Sequence, residues 1–103
     1  MPLTLIVHLY SRKPGLSALR VYEQKVLPIL SDHQGRIVTA FSPSPDMSTG
    51  DELPDEIHIV TFPSQHQFET YKSDPRHAAL AQERQQVIAR TEIIASGQYH
   101  SYE

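Results

Sequence analysis

Apolar positions along the chain recur with two periods, every second residue and every three to four, and their succession outlines a fold. Leu3 to Tyr10 reads as a strand whose two faces differ. Leu3, Leu5, Val7 and Leu9 make one wholly apolar face, and Thr4, Ile6, His8 and Tyr10 make a mixed one. Pro14-Gly15 breaks the chain. Leu16 to Leu30 then has helical period, with Leu19, Tyr22, Val26 and Ile29 or Leu30 on one stripe and Ser17 as N-cap. Pro28 lies inside it and predicts a kink or a frayed last turn. Gly35 ends the unit, and Arg36 to Ser42 alternates again as a second strand.

Ser42 to Pro54 has no period and carries Pro43, Pro45, Gly50 and Pro54, so it predicts a mobile loop. Ile57 to Phe62 is a third strand, with Ile57, Ile59 and Thr61 on one face and His58, Val60 and Phe62 on the other. Ser64 and Gln67 form a capping-box pattern ahead of a short helix anchored by Phe68 and Tyr71. Asp74-Pro75 opens a further helix, with the stripe His77, Leu80, Ala81, Arg84, Val87, Ile88 and Thr91. Glu92 to Tyr102 supplies a last strand, interrupted near Gly97.

The order strand, helix, strand, strand, helix, strand predicts a single α+β domain over residues 1–103. It is a ferredoxin-like βαββαβ unit, with a four-stranded antiparallel sheet and both helices on one face. The aliphatic face of the first strand belongs against the helices. The other face is expected to carry Ile6, His8, Tyr10, His58, Val60 and Phe62, too apolar to be left in water. A second copy related by a two-fold axis would cover it and enclose a cavity in each subunit.

Composition narrows this picture by exclusion. The net charge is −3 and the basic residues are scattered, which predicts no nucleic-acid partner. There is no cysteine, hence no disulfide, thiolate ligand or thiol nucleophile, as fits a cytoplasmic protein. The apolar run at the N-terminus is too short to span a bilayer, and no membrane partner is expected.

The segments EIHIVTFPS, FETYKSDPRHAALAQER and IIASG, with the earlier KPG, VLPIL and HQGR, resemble an uncharacterised family of the dimeric α/β-barrel superfamily, related to antibiotic-biosynthesis-type monooxygenases. Ser44 to Pro54 matches no pattern of that family. The resemblance implies the fold and a homodimer. It further implies a choice of activities, because the superfamily includes cofactor-free quinol monooxygenases, muconolactone-type isomerases, haem-degrading enzymes and stress-responsive proteins. One fold hosts many functions.

Candidate chemistry rests on few residues. His8 and His58, taken to share the cavity face, are the candidate catalytic bases or hydrogen-bond donors; the alternative is a satisfied histidine filling the sheet face. Tyr10 and Phe62 would contact the ligand from the same face. His77 and Arg84, seven residues apart on one helical face, would hold an anion, with His77 alternatively a haem ligand or a helix-start donor. Tryptophan, which haem-degrading relatives use, is absent. No histidine pair has metal-ligand spacing on one helix, and no phosphate loop or nucleophile elbow occurs. The expectation is therefore no metal and no cofactor. It leaves a cofactor-free monooxygenase or isomerase acting on a small aromatic or carbonyl compound. The alternatives are a non-catalytic small-ligand binder or stress-related dimer, or a dimer with a filled cavity and a purely interactive role.

Overall fold

Strand β1 (Leu3–Ser11) is the centre around which the other strands assemble. The structure, a computed structural model, describes residues 1–12 and 16–102, so the expected break at Pro14-Gly15 lies outside the described residues. After α1 (Leu16–Asp32) come β2 (Arg36–Phe41) and β3 (Glu56–Phe62), then three short helices, α2 (Gln65–Lys72), α3 (Pro75–Ala79) and α4 (Ala81–Val87), and finally β4 (Ile88–Ala95). The strands form one antiparallel sheet in the order β2-β3-β1-β4, the ferredoxin-like βαββαβ arrangement.

The expected stripe of α1 is the buried one: Leu19, Tyr22, Val26, Ile29 and Leu30 all lie in the core. The helix begins at Leu16, so Ser17 sits in its first turn rather than at the cap. It also runs through Pro28 to Asp32 without a frayed last turn. Its end is a Schellman motif, in which the Gly35 N–H donates to the Leu30 carbonyl and the Gln34 N–H to that of Ser31. The left-handed residue is Gln34, at φ 63°, and not the glycine beside it. Gly35 is there for space, because a Cβ would stand 2.5 Å from Leu30 and 2.6 Å from the Phe62 ring.

The second helical unit is broken more than the sequence predicts. Ser64 accepts from the Gln67 N–H at the start of α2, and Asp74 accepts from the Arg76 N–H ahead of Pro75 in α3. The chain then turns at Leu80 and restarts as α4. Helix α4 stops at Val87, so Ile88 and Thr91 belong to a strand, not to the helical stripe. Correspondingly β4 ends at Ala95, before Gly97, rather than running from Glu92 to Tyr102.

Register overturns the expected facing of β3. Leu3, Leu5, Val7 and Leu9 pair with Phe62, Val60, His58 and Glu56, and directly paired residues share a face. His58, Val60 and Phe62 therefore lie under the helices, not on the far side with His8 and Tyr10. Ile57, Ile59 and Thr61 take the far side instead. Phe62 is 1 % exposed, and its ring packs against Phe68 and Tyr71.

The core has two parts. Leu9, Leu19, Tyr22, Val26, Val87 and Ile88 form one cluster, and Leu5, Leu30, Val60 and Phe62 form the other. Val7 and Tyr71 touch both. Among the described residues no helix is long and apolar enough to cross a membrane.

Candidate functional site

Between those two clusters, sheet and helices enclose a cavity of about 310 Å³. It lies on the helix side of the sheet, where the sequence places only packing, and not on the far side. Most of its polar lining lies toward the Leu9 end, while Lys72 stands at the other end with Nζ 4.5 Å over the Phe68 ring. His58 comes from β3, Tyr22 and Glu23 from α1, Arg84 from α4 and Thr91 from β4. Val60, Phe62 and Phe68 line the other end, with Leu5, Leu30 and Ile37 around them.

His58 is 6 % exposed, and its Nε2 lies 2.7 Å from Glu56 Oε1. Two residues apart on one strand, both side chains project to the same face. A carboxylate only accepts, so Nε2–H donates to Glu56 and Nδ1 is the nitrogen that a neutral ring offers to a ligand. Glu56 Oε2 is buried without a hydrogen-bond donor among the described residues, and the nearest cation, Arg20 Nη2, is 3.6 Å away. The carboxylate thus has one oxygen fixed on the histidine and spare accepting capacity beside the cavity.

Around this pair, burial dominates the electrostatics. Burial pushes the Glu23 carboxyl above its usual range, the Glu56 charge adds to that, and His58 and Arg84 oppose it. Burial likewise raises the Tyr22 and Tyr71 phenols. His77, edge-on to the Tyr71 ring at 4.7 Å, is held below its usual range by burial and by the charge of Arg84. Arg84 donates from Nη2 to Thr91 Oγ1 at 2.7 Å.

The structure thus brings His58, Phe62, His77 and Arg84 together, although His77 and Arg84 stand on separate helices, α3 and α4. It separates His8 and Tyr10 from them. On the far face, His8 Nδ1 is 3.6 Å from Glu92, Tyr10 donates to Glu92 at 3.1 Å, and the Arg90 guanidinium stacks 3.9 Å over the Tyr10 ring. The expectation that both histidines share one cavity is corrected accordingly. Glu56 and Glu23, absent from the sequence-based candidates, join the site. The available signal was the ExH spacing of Glu56 and His58, which places a carboxylate beside an imidazole on any strand. Among the described residues no group of three or more His, Asp or Glu side chains could hold a metal ion.

The sequence of residues 5–98 matches the family model of a domain of unknown function, DUF1330. No curated protein matches the chain. Among solved structures, a protein of unknown function from Rhodopseudomonas palustris is similar at a TM-score of 0.77 and 16 % identity, covering 97 % of this chain and 84 % of its own. A nipsnap family protein of unknown function from Agrobacterium tumefaciens is similar at 0.68 and 21 % identity, covering 92 % and 86 %. A dimeric protein of unknown function with a ferredoxin-like fold, from Bacteroides fragilis, is similar at 0.64 and 10 % identity, covering 92 % and 94 %. At these identities the likeness establishes the fold alone.

Proposed function

The chain belongs to the DUF1330 family, and from that premise and the geometry of its cavity we propose that it binds a small, largely apolar organic compound between sheet and helices, with His58 as the acting base. One observation carries the reading: an imidazole oriented by a buried carboxylate on the wall of a cavity lined mainly by apolar side chains. Such a group can take a proton from the carbon beside a carbonyl and return it to a neighbouring carbon, an isomerisation that needs no cofactor. The oxygenase form differs in that the same carbanion meets dioxygen. Phe62, His77 and Arg84 are the ligand contacts in this proposal. His8 and Tyr10 are assigned to the far face of the sheet instead.

The same proposal makes the protein a cytoplasmic homodimer joined through that far face, with no nucleic acid or membrane as partner. Thr39, Ile59, Ile6 and Ile94 form one row across it, next to a row that contains Phe41 and Ile57. Ile94 is 56 % and Phe41 48 % exposed in the single chain, a patch that water covers poorly. That a structural neighbour of ferredoxin-like fold is described as dimeric supports a dimer.

Hydrogen–deuterium exchange at the α-carbon of an aryl ketone such as phenylacetone, followed by NMR in D₂O, tests the base. The native protein should accelerate exchange, and His58→Gln should lower the acceleration by about 100-fold or more. Equal rates for both proteins would remove His58 as the base. Native mass spectrometry that finds a bound compound without any exchange activity would favour a non-catalytic binder.

A further inference from the structure

Arg84 is half-buried. Among the described residues no Asp or Glu oxygen lies within 4.0 Å of its guanidinium. Among the described residues Arg12 and Arg36 also lack ion pairs, but they are exposed and keep their water. A guanidinium has five N–H donors. Thr91 takes one of those on Arg84, and the Tyr22 hydroxyl lies alongside. Glu23 lines the same cavity, but among the described residues its carboxylate makes no ion pair with Arg84 within 4.0 Å. Burial of a cation without a counter-ion is costly, and an anion from outside would relieve that cost.

The sheet arranges the remaining groups in order. Register places Thr91, Leu9 and Glu56 in one row, Ile93, Val7 and His58 in the next, Ala95, Leu5 and Val60 in the third, and Leu3 with Phe62 beyond. Along the cavity floor a ligand therefore meets the partner of Arg84 first, His58 second and the apolar wall last. Resting on the cavity reading above, we propose that the ligand is a monocarboxylic acid with an aryl or branched-alkyl body. Its carboxylate is received by Arg84 beside Thr91, its middle carbon faces His58, and its body lies along Val60, Phe62 and Phe68.

Titration of the full chain with phenylacetate and with its uncharged counterpart phenylacetamide, read by protein amide shifts, tests this. A charge-assisted fork predicts that the acid binds at least about tenfold more tightly than the amide. Arg84→Gln should abolish that preference by weakening acid binding far more than amide binding, and Arg84→Lys, which keeps the charge without the fork, should retain part of it. If Arg84→Gln does not fold, Arg84→Lys and Thr91→Val carry the comparison, each with a reduced preference. Equal affinities for acid and amide, or a preference that survives loss of Arg84, overturn the carboxylate assignment and leave the cavity reading standing. Binding of neither probe overturns both.

Discussion

At the scale of single residues, the fold depends on a few positions where size matters more than chemistry. Gly35 is pressed between Leu30 and the Phe62 ring, and a methyl group there has nowhere to go. Both neighbours are core residues, Leu30 6 % and Phe62 1 % exposed, so neither can swing into solvent. Gly35→Ala should lower stability by roughly 1–3 kcal/mol, as overpacking does, measured by urea unfolding. Gln34, the residue with positive φ, tolerates its own strain because αL is accessible to a polar residue at one isolated position.

At the scale of elements, the junction between α1 and the α2–α3 pair is tied by charge. The Arg76 guanidinium, His33 and the Arg76 backbone N–H all contact the Asp74 carboxylate, and these bonds hold it far below the usual range. Arg76 also reaches Asp32 at the end of α1, 2.8 Å away. A carboxylate whose folded-state pKa is depressed contributes stability that is complete above its unfolded value, about 4, and is lost as pH falls below it. The native protein should therefore have a higher Tm than Asp74→Asn near neutral pH, and the gap should close as pH drops below about 4, measured by thermal melts across acid pH. The connection from β2 to β3 behaves in two parts. Residues 44–52 are exposed, whereas Pro54 is buried, and Asp55 donates its N–H to the Leu9 carbonyl and accepts from the Ser11 N–H through its side chain. Hydrogen exchange should be fast over residues 44–52 and slow at the Asp55 amide. Protection throughout would mean that the segment packs on another surface.

For the whole molecule the decisive property is that its helices cover one sheet face only. The Cα trace is 16 Å thick along its short axis, the depth of one helix layer on one sheet. The dimer proposal and the cavity proposal therefore concern opposite faces and can be tested separately. Ile59→Arg, in the middle of the exposed apolar row, should turn a dimer into a folded monomer by sedimentation, because a charge cannot be buried unpaired between two copies. Phe62→Ala should instead cost about 3–5 kcal/mol of folding stability and leave the folded fraction dimeric, because its ring lies in the core. Loss of the dimer in Phe62→Ala at full folded occupancy would contradict this division.

Local signals in the sequence determined the element order, the helix stripe of Leu19, Tyr22 and Val26 and the caps at Ser64 and Asp74, because each depends on neighbours within a few residues, and that order with right-handed crossovers implied the ferredoxin-like topology. The boundary between α4 and β4 escaped that reading, since Ile88 and Thr91 fit a helical stripe as well as a strand. Which histidine enters the cavity was beyond it altogether. Period two states that His58 shares a face with Val60 and Phe62, and His8 with Ile6 and Tyr10, but not which face of one strand adjoins which face of the next. Both faces of β3 are apolar enough for a core. The pairing of Val7 with His58 decided the matter, and a shift of one residue would have exchanged the faces of the whole strand. That register is a property of the packed sheet, in which Phe62 finds its place beneath Phe68 and Tyr71 and carries His58 and Glu56 with it.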